Sequence, residues 1–322
     1  YNLTFWEKKG YIFADVNFVY PNSPAAKAGL KRGDLITHMN GERMTTDNYT
    51  DLYYASQLSL GLSNDETSEP YETKTLTAQT YAIDPVLDYG LIPLEHLTIG
   101  YMIYTDFVFR GNASLAQLNH VFQTLKAANI DEFILDLRYN QGGYIFAVKQ
   151  LCSLLAPEEV VENEELLIHK KWNKAYQERY ANDPDRLEEH FDNTVPLDSR
   201  LNLKRLWVIT SHVTASASEM LISALSPYMK VNVVGDLTMG KNMGGIIYTP
   251  NDKDLQNWNI MLISTEYSNS REESVKGGIP PMFPILEQFH HQHQLGDQEE
   301  PLLAATLQLI TQDTIVTPAT NS

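Results

Sequence analysis

Residues 133–143 of this 322-residue chain are Phe-Ile-Leu-Asp-Leu-Arg-Tyr-Asn-Gln-Gly-Gly. The first five form a nearly continuous apolar run, which is typical of a strand buried on both faces of a sheet. Gly142 and Gly143, which end the stretch, allow the backbone to approach a ligand closely and to present its N–H groups. This stretch therefore predicts a buried strand that leads into a ligand-binding loop.

Strand and helix patterns alternate along the chain after residue 98. Further predicted strands and helices follow in the order 99–104, 144–155, 206–210, 217–225 and 231–235. This alternation predicts an α/β domain with a mostly parallel sheet. Loops that follow parallel strands gather at one edge of the sheet, so we expect Gly142 and Gly143 to lie close to the stretch around Ser216.

Residues 214–219 are Thr-Ala-Ser-Ala-Ser-Glu, at the junction of an apolar strand and a helix. Ser216 is the candidate nucleophile and Lys241 the candidate base, because a neutral lysine amine can accept a hydroxyl proton near neutral pH. A free lysine has a pKa of about 10.4, so this role requires burial of the amine. We expect Met239 and Met243 to supply an apolar setting for Lys241.

Three neighbouring side chains offer alternatives. Ser218 is a second serine, but it lies two helical positions from Ser216 and is expected to point elsewhere. Glu219 is placed to form a capping box with Ser216. His212 makes a Ser-His-Asp hydrolase an alternative, although no acid is identifiable as the partner of this histidine.

The amino-terminal third contains residues 23–42, SPAAKAGLKRGDLITHMNGE, which resemble the second half of a bacterial PDZ domain. PDZ domains bind an extended peptide at a sheet edge and hold its terminal carboxylate with backbone N–H groups. The resemblance places that carboxylate loop just before the first strand, at Asn2, Leu3 and Thr4, with Asn2 where glycine is usual.

Residues 45–62 have apolar side chains near helical spacing and predict a helix.

Four motifs follow the PDZ-like segment in order: ILDLRYNQGG (134–143), TASASEMLISAL (214–225), VVGDLTMGK (233–241) and GGIPP (277–281). Together they resemble the carboxyl-terminal processing serine peptidases of family S41, in particular the Bacteroidetes-type members. The resemblance implies a ClpP/crotonase-like α/β peptidase core with a smaller, mainly β PDZ-like domain.

The same resemblance assigns roles to individual residues. It implies a Ser-Lys dyad of Ser216 and Lys241, which lie 25 residues apart as the family pattern requires. It implies an oxyanion hole formed by the N–H of Ala217 with that of Gly142 or Gly143. A glutamine four residues after the lysine often supports the dyad in this family, and the chain has Gly245 at that position.

The predicted domains are a PDZ-like domain over residues 1–96 and a peptidase core over 97–322, joined by a linker at 84–96. A charged insert occupies residues 158–200, and its aromatic side chains at 172, 176 and 180 are expected on one helical face. Residues 245–267 predict a β-hairpin.

Composition excludes several classes of partner. The net charge is −17, with 24 basic against 41 acidic residues, so we expect no nucleic-acid partner. The single cysteine, Cys152, lies in an apolar helical pattern and is predicted to be a buried structural thiol. His290, His291 and His293 match no zinc pattern, and we predict neither a metal nor a cofactor.

No apolar run approaches the roughly 20 residues of a membrane span. The chain begins at Tyr1 and shows no signal peptide, so we expect membrane association only through an amino-terminal anchor that this sequence lacks. The family resemblance implies a periplasmic or cell-envelope location and is compatible with a homo-oligomer.

The sequence thus favours a serine endopeptidase that cleaves proteins near exposed carboxyl-terminal tails by acyl transfer, with the PDZ-like domain binding the tail or regulating access. The alternative is a non-catalytic peptide- or ligand-binding member of the same fold. An enzyme like the acyl-CoA hydratases is disfavoured, because no basic patch is present for a nucleotide.

Overall fold

The computed structural model describes residues 1–80, 83–94, 96–108, 112–255, 257–288 and 293–316, without the side chains of 112–114 and 313–316. These residues divide into two compact units. The first holds Tyr1–Leu87 together with the described residues from Glu287 onward, and the second holds Asp88–Leu286. The carboxyl-terminal segment therefore groups with the amino-terminal unit, whereas the sequence placed residues 97–322 in one domain.

The amino-terminal unit is built on an antiparallel sheet with strand order β1-β2-β3-β5-β6, in which β4 pairs with β3. Side chains such as Val16, Ile36 and Leu60 point inward and form its core. Its elements are β1 (Asn2–Lys8), β2 (Tyr11–Phe18), α1 (Pro24–Lys27), β3 (Leu35–Met39), β4 (Glu42–Arg43), α2 (Tyr49–Tyr53), β5 (Gln57–Ser63) and β6 (Glu72–Thr77).

The helix predicted over residues 45–62 is wrong in its extent. Helix α2 ends at Tyr53, and β5 begins at Gln57. Leu58, Leu60 and Leu62 recur at every second position and are all buried. This period of two buries one face of a strand, and it prevails over the weaker helical spacing.

The second unit contains two sheets with helices between and around their strands, and its first strand, β7, begins in the last two residues of the first unit. Its elements are β7 (Val86–Leu94), β8 (Leu97–Tyr104), α3 (Asn112–Ala127), β9 (Glu132–Asp136), α4 (Ile145–Leu155), α5 (Glu158–Glu162), β10 (Leu166–Trp172), α6 (Lys174–Arg179), α7 (Pro184–Leu187), β11 (Glu188–His190), β12 (Arg205–Thr210), α8 (Ala217–Leu225), β13 (Lys230–Gly235), β14 (Met243–Tyr248), β15 (Ile260–Asn269) and β16 (Phe283–Pro284).

The first of these sheets has the order β16-β13-β12-β9-β8-β7. Neighbouring strands from β8 to β16 run parallel. Every residue of β9 is buried, which confirms the strand predicted from its apolar run. The loops after β9 and β12 leave the same edge of the sheet, since Leu135 is paired with Val208 in parallel register. The parallel α/β core is therefore confirmed.

The second sheet has the order β11-β10-β15-β14, and its strands are antiparallel. The charged insert at 158–200 supplies β10 and β11, while β14 and β15 form the predicted hairpin. Trp172 ends β10 and does not share a helix with Tyr176 and Tyr180, contrary to the prediction. The three rings nevertheless pack together, with centroids 5.2–5.7 Å apart.

Helix α9 (Pro301–Val316) and the residues before it are bound to the amino-terminal unit through Arg32. This guanidinium is only 3% exposed and donates to Asn17 O at 2.7 Å and to Glu287 Oε1 at 2.7 Å. It also lies 3.6 Å from Glu300 Oε1. A buried arginine needs such partners. Here the two carboxylates, Glu287 and Glu300, lie more than 250 residues from Arg32 along the chain. Among the described residues, no helix is both long enough and apolar enough to cross a membrane.

We expect Arg32→Ala to destabilise the amino-terminal unit by about 3–5 kcal/mol, because it removes a buried cation that pairs with the carboxylates of Glu287 and Glu300. Urea denaturation followed by circular dichroism measures this loss. Exposed Lys31 provides the matched control, and Lys31→Ala should change the free energy of unfolding by less than about 0.5 kcal/mol. Equal stability of the two variants would contradict the role given to Arg32.

We expect the Cys152 thiol to be unreactive in the folded protein. Its side chain is fully buried in α4, and this burial raises the pKa of the thiol, so little reactive thiolate forms. Ellman's reagent at pH 8 should label no thiol in buffer and one thiol per chain in urea. Rapid stoichiometric labelling of the folded protein would show that the site opens to solvent.

Candidate functional site

Ser216 occupies the N-cap position of α8, directly before the first helical residue. Its backbone has φ 58° and ψ −114°, in a region that residues other than glycine rarely adopt. Such a conformation costs about 1–3 kcal/mol and persists only where surrounding contacts hold it. Ser216 is partly exposed and lines a small cavity, so the residue is within reach of a ligand.

The glycine loop after β9 touches Ser216. A Cβ on Gly142 would lie 2.7 Å from Ser216 Cβ, and the backbone there has φ +105°. Asn140 shapes this loop, since its Nδ2 donates to Tyr104 O at 2.8 Å and its Oδ1 accepts from Gly142 N–H at 2.9 Å. Only glycine fits between this loop and the serine, and the predicted meeting of the two loops is confirmed.

Further hydrogen bonds join the two loops. Thr214 Oγ1 donates to Leu137 O at 2.9 Å, and Ala215 N–H donates to Asn140 O at 3.1 Å. Ser218 is fully buried, and its Oγ donates to the same Asn140 carbonyl at 3.0 Å. Ser218 therefore supports the loop and points away from the exposed side of Ser216, as predicted.

Two backbone N–H groups of these loops are candidates for binding an oxyanion, those of Ala217, next to Ser216 in the chain, and of Gly143, next to Gly142. Neither Ala217 N–H nor Gly143 N–H has an acceptor within the described part of the chain. Gly142 N–H is already bonded to Asn140 Oδ1. The structure thus favours Gly143 over Gly142 among the two glycines that the sequence proposed.

The carboxylate of Glu219 binds the backbones of both candidate catalytic residues. It is completely buried, and its Oε2 accepts from Ser216 N–H and from Lys241 N–H, each at 2.8 Å. Its Oε1 accepts from Gly240 N–H and from Thr238 Oγ1, each at 2.5 Å. A buried carboxylate is stabilised by several charge-assisted hydrogen bonds of this kind. The sequence indicated only the contact with Ser216.

Lys241 and Ser216 line one small cavity of about 20 Å³. Its wall also includes Tyr267, Ser268 and Asn269 at the end of β15. The two residues paired by their spacing in the sequence are therefore brought to one place.

The predicted burial of Lys241 is wrong for this structure. Its side chain is exposed, and the flanking Met239 and Met243 are 55% and 44% exposed. The segment turns at the surface at Gly240, where φ is +84°. Removal of water from the lysine amine therefore requires a further group that covers the cavity.

Gly245, at the position of the family's glutamine, leaves no room for a side chain. A Cβ there would lie 2.3 Å from Leu262 O, and a bulge interrupts the register between Gly244 and Gly245. This backbone excludes a glutamine at position 245. The residue that often supports the dyad in this family is therefore missing here for a structural reason.

A buried ion pair lies at the start of the glycine loop and was missed as a feature of the site. Arg138 Nη2 lies 2.9 Å from Asp136 Oδ2, and both residues are 1% exposed. Tyr101 Oη donates to the same carboxylate at 2.8 Å. The sequence contained a signal for this pair, because Asp136 is a charged residue within an apolar strand and such a residue requires a buried partner.

The histidines considered in the sequence either fall outside the described residues or make no hydrogen bond or ion pair with Ser216, Lys241 or Glu219 among them. His212 is exposed, and among the described residues no acid pairs with it. His290 and His291 fall outside the described residues. The imidazole of His293 contacts Asp297 at 3.0 Å, and their ligand atoms lie within 4.8 Å of one another and of Glu299, a grouping that the sequence spacing did not indicate.

Asn2, Leu3 and Thr4 lie in the amino-terminal unit within β1, paired with β2. The expected carboxylate loop before the first strand is not found, because these residues already belong to that strand. The Asn2 side chain accepts a hydrogen bond from Asn17 at 2.7 Å. A role for the three residues in peptide binding stays a prediction.

Comparison with known proteins agrees with this architecture. Residues 98–284 match the model of peptidase family S41, and residues 16–58 match a PDZ domain model. The chain is 26% identical to a carboxyl-terminal-processing protease of Synechocystis, covering 69% of this chain and 48% of that protein. It is 28% identical to the chloroplastic carboxyl-terminal-processing peptidase 2 of Arabidopsis thaliana, covering 84% and 49%.

Among solved structures, an S41 protease from Bacteroides fragilis superposes with a TM-score of 0.80 at 26% identity, covering 98% of this chain and 82% of that one. The chain spans about half the length of the two curated relatives. The predicted peptidase core, PDZ-like domain and Bacteroidetes-type resemblance are confirmed. Since the family model alone matches more than half of its residues, the chain belongs to peptidase family S41 and carries a PDZ domain.

Proposed function

We propose that this protein is a serine endopeptidase that cleaves polypeptides near exposed carboxyl-terminal tails, with Ser216 as nucleophile and Lys241 as base. The observation that carries the proposal is the shared cavity of the two residues, whose backbones are held by one carboxylate, that of Glu219. Family membership and the names of the curated relatives support the same chemistry.

The reaction follows from the groups present. The neutral amine of Lys241 accepts the proton of Ser216 Oγ as this oxygen attacks the substrate carbonyl. The N–H groups of Ala217 and Gly143 stabilise the oxyanion that forms. The lysine ammonium then protonates the leaving amine, and water hydrolyses the acyl-enzyme with the lysine again as base.

The open position of Lys241 has a consequence for this scheme. An amine in water favours its charged form, and removal of water favours the neutral form that can act as a base. The bound substrate supplies that removal when it covers the cavity. Activity therefore depends on occupancy of the cleft as well as on the dyad itself.

The PDZ domain has a place in the proposal as the part that binds the tail or regulates access, and Asn2, Leu3 and Thr4 on the edge strand β1 are its candidate peptide-binding residues. Substrates are proteins with exposed carboxyl termini. A periplasmic or cell-envelope location and a homo-oligomeric state belong to the same proposal by family resemblance.

A second candidate is a non-catalytic binding protein of the same fold. Two observations favour it: the exposed side chain of Lys241 and the backbone at Gly245, which excludes the supporting glutamine. The next experiment separates the two candidates.

Ser216→Ala and Lys241→Ala should each lower kcat/KM on an unstructured protein substrate by at least about a thousandfold, since each removes one half of the dyad. A fluorophosphonate probe should label the native chain at Ser216, with the adduct located by mass spectrometry. Ser218→Ala is the matched control and should still be labelled. Absence of labelling and of cleavage in the native protein would favour the binding protein.

Glu219→Gln should lower kcat by about a hundredfold or more and reduce the free energy of unfolding by about 1–3 kcal/mol. The amide replaces one acceptor oxygen by a donor that faces two N–H or O–H donors. Activity assays on an unstructured protein substrate measure kcat, and urea denaturation measures the free energy of unfolding. The exposed Glu165 provides the control, because Glu165→Gln should change neither quantity. Native-like activity of Glu219→Gln would disprove the positioning role.

A further inference from the structure

The hairpin of β14 and β15 exposes apolar side chains on both of its faces. We call the described residues of 243–263 the apolar arm. Its apolar side chains with exposed fractions from 42% to 68% are Met243, Ile247, Tyr248, Leu255, Trp258, Ile260, Met261, Leu262 and Ile263. Four of these are consecutive in β15 and so point alternately to opposite faces. Exposed apolar side chains grouped in one hairpin in this way mark a binding site.

One edge of the apolar arm is open. Strand β14 is the last strand of its sheet and pairs only with β15 among the described residues. It contains neither a charged residue nor a proline, the features that usually protect an edge strand from pairing. Its unpaired N–H and C=O groups can therefore accept an extended peptide as an additional strand.

The arm is continuous with the candidate active site. Strand β14 begins two residues after Lys241, and the neighbouring strand β15 ends with the residues that line the cavity beside Ser216. The six residues of β14 span about 20 Å at about 3.4 Å per residue. A peptide paired along this edge is thus brought to the nucleophile over a length of about six residues.

The few charges of the arm indicate which kind of molecule can bind to it. Its only charged residues are Asp252, Lys253 and Asp254, all within the connection between the two strands. Anionic membranes bind clusters of basic residues, which the arm lacks. An uncharged, extended polypeptide segment fits both the open edge and the apolar faces.

We propose that the apolar arm binds an extended apolar segment of the substrate as an added β-strand and guides it to Ser216. This inference rests on the proposed peptidase function and names its substrate class: unfolded chains with an apolar run close to the scissile bond. A segment seated there also covers Met243 and displaces water from the neighbouring Lys241.

The test measures binding without catalysis. The Ser216→Ala protein is titrated against two fluorescein-labelled peptides, one with a run of six Val, Leu and Ile residues to match β14 and one with Ser and Asn in their place. Fluorescence anisotropy should give a Kd at least about tenfold lower for the apolar peptide. N-methylation of alternate amides in the apolar run should abolish this preference, because it blocks pairing with the strand edge.

Adding Ile247→Asn and Met261→Asn to the Ser216→Ala protein should remove the preference. Leu197→Asn in the same Ser216→Ala protein is the control. Leu197 lies outside the arm and is 59% exposed, as is Ile247, so this variant should retain the preference. Equal Kd values for the two peptides, or an unchanged preference in the arm variant, would overturn the inference even if the native enzyme is labelled at Ser216. Light scattering that shows a dimer dissociated by the arm substitutions would assign the surface to a second copy instead. Failure of the peptidase proposal would appear separately, as a native protein that neither cleaves nor labels.

Discussion

The buried carboxylate of Glu219 connects the two halves of the candidate active site. Its oxygens accept hydrogen bonds from the backbone of Ser216 on one side and from Thr238, Gly240 and Lys241 on the other. A buried charge is tolerated only when its hydrogen-bonding capacity is used, and four donors fill it here. Ser216 and Lys241, the candidate nucleophile and base, belong to different loops, and this carboxylate holds the two loops together.

The strained backbone at Ser216 depends on the same set of contacts. A serine with φ 58° is held from one side by Glu219 and from the other by the glycine loop, where Gly142 leaves no space for a side chain. Asn140 in turn shapes that loop through its side chain and carbonyl. The conformational cost at the serine is therefore offset by a network spread over three loops. The same loops carry the N–H groups of Ala217 and Gly143, which have no acceptor in the described part of the chain.

The candidate active site is open to solvent. Lys241 is exposed, and the strands that follow it present apolar side chains to solvent. Both features have one explanation in the proposed mechanism, since a polypeptide that covers the apolar arm also excludes water from the amine. Gly245 fits this account, because a side chain at this position would collide with Leu262 O in the paired strand.

The sequence by itself determined the buried strand at residues 133–137, the parallel α/β alternation and the PDZ-like segment, and it predicted Ser216 and Lys241 as a candidate pair. These follow from local periodicity, turn residues and fixed spacing, which are encoded in short stretches. Only the tertiary structure decided that Glu219 binds both loops, that Gly143 rather than Gly142 keeps an available N–H, and that Lys241 is exposed. Likewise, Arg32 bonds with Glu287 across 255 residues, so no local pattern placed the carboxyl-terminal segment with the amino-terminal unit. Burial and hydrogen bonding are properties of residues that meet in space, and a linear pattern specifies them only where the partners are neighbours in the chain.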